Sequence, residues 1–115
     1  MKIIIQGGTI VNEGRSLRRD ILIEDNSIAA LFDPSETPRG IYDKIIDASG
    51  CFVFPGIIDT HVHFREPGLT RKADIESESR AAAFGGITSY MEMPNTSPQT
   101  TTPEAWQEKM TLAAH

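Results

Sequence analysis

The run Pro55-Gly56-Ile57-Ile58-Asp59-Thr60-His61-Val62-His63-Phe64-Arg65-Glu66-Pro67-Gly68 holds two of the chain's three histidines, with an arginine and two carboxylates, between two Pro-Gly punctuation points. Its apolar centre predicts a strand over residues 57–64. Side chains of a strand alternate faces, so Asp59, His61, His63 and Arg65 are expected on one side. Two imidazoles two residues apart on one face are able to share a metal ion, which makes His61 and His63 the candidate ligands. Asp59 could orient one of those rings or serve as an ordinary hydrogen-bonding aspartate. Arg65 could offer a carboxylate a bidentate fork or pair with Glu66.

Downstream of this run the pattern is strand, helix, strand, helix. Asp74 to Phe84 predicts a helix with Ile75, Ser79, Ala82 and Ala83 on its inner stripe, closed by Gly85-Gly86. Ile87 to Met93 predicts a second strand, stopped by Pro94. Thr101 or Thr102 is expected to cap a second helix entered through Pro103, with Glu104 complementing its dipole and Trp106, Met110, Ala113 and Ala114 on the inner stripe. Two βα units imply a parallel sheet, and ligands collect at the carboxyl ends of such strands. His63, Arg65 and Asn95 all fall at those ends. Asn95 presents both a donor and an acceptor to a ligand, although asparagine after proline is also common turn chemistry.

Upstream, short apolar runs alternate with turn residues. Lys2–Gln6 and Thr9–Asn12 are expected to form a hairpin about Gly7-Gly8, and residues 20–24 and 27–32 a second about Asp25-Asn26. Residues 33–40 read as a surface loop, and residues 44–47 and 51–54 as two more strands about Ala48-Ser49-Gly50. Together they imply an antiparallel sheet or sandwich. Arg18-Arg19-Asp20 reads as a solvated charged turn.

The 115 residues carry a net charge of -5 with 39% hydrophobic and 23% charged side chains, an ordinary soluble composition with no basic patch for nucleic acid or anionic membrane. The single cysteine, Cys51, sits in an apolar run and is expected to be a buried, inert thiol, in keeping with a cytoplasmic protein. No stretch has the length of a membrane span and no signal peptide is evident, so an untargeted soluble protein is expected.

Residues 59–68, with Ala81-Ala82-Ala83-Phe84-Gly85-Gly86-Ile87-Thr88 and Met93-Pro94-Asn95-Thr96, resemble the amino-terminal part of the dihydroorotases, zinc amidohydrolases of pyrimidine biosynthesis. The resemblance is loose over residues 1–54 and specific over 55–98. It implies an α/β fold: residues 1–54 as strands of a small β-sandwich domain, and residues 55–115 as the first two units of a (β/α)8 metal-dependent hydrolase barrel. It implies that His61 and His63 are metal ligands for one or two zinc ions, and that Arg65 and Asn95 hold the substrate's free carboxylate. The implied reaction is the reversible cyclisation of N-carbamoyl-L-aspartate to L-dihydroorotate, with no partner beyond the small-molecule substrate except a second copy or another pyrimidine-pathway enzyme.

Allantoinases and dihydropyrimidinases share the paired histidines but typically lack the arginine and the Met-Pro-Asn run, and their substrates lack that carboxylate. They stay open as sister readings, as does a non-catalytic dihydroorotase-like structural partner. The sequence departs from the family near Arg71-Lys72-Ala73, where a histidine and a glutamate are expected around the lysine. A barrel needs about 250 residues. The remaining metal ligands and the general acid-base are therefore expected beyond residue 115, no catalytic residue is assigned within the chain, and the chain alone is expected to be inactive. His115 is expected to be structural or frayed.

Overall fold

The structure, a computed structural model, describes residues 1–114; the expectation for the histidine at 115 lies outside the described residues. The fold is mixed α/β, with two compact units, Met1–Pro55 and Gly56–His115.

The first unit contains seven strands: β1 (Lys2–Gln6), β2 (Thr9–Asn12), β3 (Arg15–Arg18), β4 (Asp20–Glu24), β5 (Ser27–Phe32), β6 (Lys44–Asp47) and β7 (Phe52–Val53). They form a four-stranded sheet in the order β5-β4-β1-β6 and a three-stranded sheet in the order β3-β2-β7. The expected hairpin of β1 with β2 does not form. Each lies in a different sheet, because the polar backbone between them is bound elsewhere: Gly7 N–H donates to Asp20 Oδ1 at 2.9 Å, Ala48 N–H to the Gln6 carbonyl at 2.8 Å and Thr9 N–H to the Cys51 carbonyl at 3.0 Å.

The partner of β2 is instead β3, through a two-residue turn in which Glu13 (φ 50) and Gly14 (φ 70) are both left-handed. That geometry matches the twist of a hairpin. β6 and β7 likewise do not pair with each other; they run parallel to β1 and β2, so both sheets are mixed rather than purely antiparallel. The hairpin of β4 with β5 forms as expected about Asp25 (φ 53), with one extra residue on β5 between Ala30 and Ile28.

Ile4, fully buried, and Ile21 anchor the interior of this unit. Asp20, expected in a solvated turn, is 3% exposed and accepts from Gly7 N–H and from the Thr37 hydroxyl at 2.6 Å. It ties the 33–40 loop to the β1–β2 bend. Cys51 is exposed rather than buried, since it ends the Ala48–Cys51 turn, its N–H donating to the Ala48 carbonyl, before β7 begins.

The second unit contains β8 (Ile57–Val62), α1 (Ile75–Phe84), β9 (Ile87–Glu92) and α2 (Pro103–Ala113). β8 and β9 pair in parallel, as the alternation of strands and helices implies. α1 begins in a capping box: Asp74 accepts from Ser77 N–H at 2.7 Å while the Ser77 hydroxyl accepts from Asp74 N–H. Glu66 takes a further free amide of that turn, Ile75 N–H, at 3.0 Å. The helix closes at Gly85, and Gly86 follows with φ 87. α2 is capped by Thr102, with Pro103 in its first turn.

The expected inner stripes of the helices hold only in part, and on β8 Ile57 and Ile58 are more than half exposed because the sheet of this unit has two strands. On α1 the inward residues are Ile75 and Ala82, which meet Val62 and Phe64, whereas Ala83 is exposed. On α2, Trp106, Met110 and Ala113 line a cavity of about 460 Å³ with Ile75, Tyr90 and Glu92, and Ala114 is exposed beyond the helix. The buried residue of α2 is Lys109, because its ammonium finds Glu92. No helix of the described residues is long and apolar enough to cross a membrane.

Candidate metal and carboxylate site

The candidate site lies at the carboxyl ends of β8 and β9. Strand β8 stops at Val62, so His63 and Arg65 sit in the loop that follows rather than on the strand. Val62 and Phe64 turn inward and are buried, which leaves His61 and His63 on the opposite side. Their rings lie 5.1 Å apart, centroid to centroid, inclined at 59°. The alternation expected for residues 59–65 ends there, because Arg65 takes a left-handed backbone, φ 73. Such a conformation is uncommon for a residue with a Cβ and persists only where its surroundings hold it.

Asp59 accepts from the His61 backbone N–H at 3.0 Å, so its carboxylate holds the chain of His61 and not an imidazole. Asn95 does meet a ring. Its Oδ1 lies 2.9 Å from His63 Nδ1. An amide oxygen is an acceptor, so Nδ1 is the donor in this pair. The Asn95 NH2 group remains available to an acceptor. Arg65 forms no ion pair among the described residues, and Glu66, its alternative partner, is engaged with Ile75 N–H.

The loops after the two strands are joined to each other. Ser97 N–H donates to the Pro67 carbonyl at 3.1 Å, and a Cβ on Gly68 would fall 1.9 Å from the Ser97 carbonyl oxygen. Only glycine permits this approach, at a residue whose φ of 81 also favours it. Thr96, 6% exposed, ties the second loop to itself through the Pro98 carbonyl and the Thr100 hydroxyl. Gly68, Ser97 and Thr96 thus fix the distance between Arg65 and Asn95, a role that the sequence signalled only through the density of Pro, Gly, Ser and Thr.

A second feature escaped the sequence reading. Glu92, the last residue of β9, accepts from Phe64 N–H through Oε1 at 3.2 Å and from Lys109 Nζ through Oε2. Side-chain exposures of 9% and 11% make this a buried pair. The sequence offers only a faint signal for it, a lysine at 109 flanked on the helix face by Trp106 and Met110.

A family model described as dihydro-orotase-like matches residues 50–113. The dihydroorotase of Lactobacillus helveticus is 46% identical over 104 residues, which cover 90% of this chain and 23% of that protein. Among solved structures, the L-hydantoinase (dihydropyrimidinase) from Arthrobacter aurescens matches with a TM-score of 0.88 at 38% identity, over 96% of this chain and 24% of the other. An N-acyl-D-glutamate deacylase from Bordetella bronchiseptica, complexed with zinc and a phosphonate inhibitor, matches with a TM-score of 0.58 at 26% identity, over 87% of this chain and 20% of the other. The chain spans about a quarter of the length of the relatives it matches.

Proposed function

The chain belongs to the dihydro-orotase-like family, and from that premise we propose that it forms the amino-terminal part of a dihydroorotase, which reversibly cyclises N-carbamoyl-L-aspartate to L-dihydroorotate. In this reading residues 1–54 contribute strands of a small β-sandwich domain and residues 55–115 the first two units of a (β/α)8 barrel. The parallel pairing of β8 with β9 and the apolar cavity lined from both sheets of the first unit, by Ile10, Ile21 and Val53 among others, support that division. The protein acts in the cytoplasm, with a small-molecule substrate.

The observation that carries the proposal is the adjacency of His61 near the end of β8 and His63 just beyond it, with Asn95 on the His63 ring. The donor set fits zinc: two imidazoles, one of them with its Nδ1 already hydrogen-bonded to Asn95, as metal-bound histidines commonly have. Among the described residues no group of three His, Cys, Asp or Glu is arranged to hold an ion. A catalytic zinc takes about three protein ligands, so the proposed site draws the others, with the general acid-base, from the remaining barrel.

Bound zinc would supply an activated water and polarise the ring amide carbonyl. The chain's own residues bind and orient. Arg65, in no ion pair among the described residues, presents its guanidinium fork to the substrate carboxylate. Asn95 holds His63 with its oxygen and donates to the same carboxylate with its NH2. Fixing the carboxylate would fix the ring and hold its amide in one orientation within the site.

The fold likeness to a hydantoinase favours one second reading, a hydantoinase or dihydropyrimidinase. The two differ in whether the substrate carries a carboxylate. Assays of the complete barrel protein on carbamoyl aspartate, dihydroorotate, allantoin and hydantoins, with zinc analysis of the same preparation, test the proposal. Turnover of the first two with bound zinc is expected. Preference for hydantoins would favour the second reading, and a metal-free inactive protein would refute both.

A further inference from the structure

The end of β9 grips the segment after His61 at two points. Asn95 takes the His63 ring, and Glu92 takes the amide of the next residue, Phe64. Phe64 is itself 5% exposed, its ring tilted at 57° against Tyr90 with centroids 4.4 Å apart, and its backbone amide donates to a carboxylate that is only 9% exposed. An amide in that position needs an acceptor. The acceptor is a carboxylate, and a buried carboxylate needs a partner. Lys109 reaches across from α2 to be that partner. A neutral acceptor would have satisfied the amide alone, so the charge calls for a reason beyond one hydrogen bond.

We propose that Glu92 and Lys109 are positioning residues for the His61–His63 metal pair: Lys109 fixes the Glu92 carboxylate, and the carboxylate fixes the Phe64 amide and with it the direction in which His63 leaves β8. The inference rests on the reading of His61 and His63 as zinc ligands. It adds a link from α2 to the metal, through a side chain that touches neither metal nor substrate. The chain of contacts runs Lys109, Glu92, Phe64, His63, each step a contact or a peptide bond.

Two double substitutions in the complete barrel protein separate positioning from mere stability. E92Q/K109M removes both charges but keeps an oxygen acceptor for Phe64 N–H, whereas E92L/K109M removes the acceptor as well. Both leave no unpaired buried charge, which is the failure expected of either single change. Zinc affinity is measured by competition with a chelator, and exchange of the Phe64 amide by hydrogen-exchange NMR or mass spectrometry on metal-free protein.

Positioning predicts that E92Q/K109M, which keeps the acceptor but loses the Lys109 anchor, binds zinc about threefold more weakly than wild type, and that E92L/K109M loses about 10- to 100-fold, the range for partners that orient a metal ligand. The Phe64 amide should exchange at least about tenfold faster in the second variant than in the first. Equal zinc affinity in the two, whether both retained or both lost, would overturn the proposal. A wild-type protein that holds no zinc would instead overturn the functional reading and remove the object of the device. The amide exchange, read without metal, tells that outcome apart from a failure of the contact itself.

Discussion

Gly68 is the position at which a single methyl group should do the most damage to the candidate site. Its φ is 81, and a Cβ built there lies 1.9 Å from the Ser97 carbonyl oxygen and 2.8 Å from its carbonyl carbon. Gly86 supplies a matched comparison, with φ 87 and nothing within 4 Å of its Cβ. Gly86→Ala therefore meets only the left-handed backbone cost of about 1–2 kcal/mol. Gly68→Ala meets the same cost and must also displace main chain, which adds about 1–3 kcal/mol by analogy with overpacked interiors. The separation strains the Pro67–Ser97 hydrogen bond and moves Arg65 relative to Asn95. Equilibrium urea unfolding of the two variants in the complete protein, with KM for dihydroorotate, checks this. Gly68→Ala should be the less stable of the two by about 1–3 kcal/mol and should raise KM, while Gly86→Ala leaves KM unchanged. Equal stability with equal KM would refute the claim that the two loops are held together at this contact.

Three further outcomes follow from individual side chains. Hydrogen bonds from Ser77, backbone and side chain, hold the Asp74 carboxyl below its ordinary value of 3.8. A depressed folded pKa means stability present above 3.8 and lost as pH falls through the folded value. The stability advantage over Asp74→Asn should therefore be constant near neutrality and shrink in acid, read by unfolding midpoints from pH 7 to pH 3. Asp20→Ala leaves Gly7 N–H and the Thr37 hydroxyl without their buried acceptor, a loss of about 2–4 kcal/mol in denaturant unfolding. At Arg65 the left-handed backbone makes glycine the better replacement: Arg65→Gly should be more stable than Arg65→Ala by about 1 kcal/mol in the same experiment, though both lack the guanidinium.

The local chemistry of the second unit was legible because short-range rules govern it. The two strands and two helices, the cap at Thr102 and the stop at Gly85-Gly86 follow from residues within a few positions of one another, as does the capping box at Asp74 and Ser77, which the sequence reading passed over by starting the helix at Asp74. The first unit was legible as strands but not as pairings. Gly7-Gly8 between two apolar runs carries the same local signal whether the chain reverses or crosses between sheets; Asp20 and residues 47–51, distant in sequence, decide it. Lys109 was hidden for a related reason. Hydrophobic periodicity put Trp106 and Met110 on the inner stripe, but Glu92, on another element, draws the lysine inward and leaves the apolar pair lining a cavity. At the site itself, spacing placed His61 and His63 side by side, as they are, but carried the alternation on to Arg65, since nothing local announces that Arg65 adopts φ 73.

The central claim is that this loop pair reads a substrate carboxylate beside a zinc-binding histidine pair. Its most direct test is kcat/KM for dihydroorotate in the complete protein with Arg65→Gln, zinc content being measured in the same sample. Loss of a charge-assisted fork of about 1.5–3 kcal/mol predicts a fall of about 10- to 150-fold with zinc retained. Wild-type kcat/KM in the variant would contradict the account.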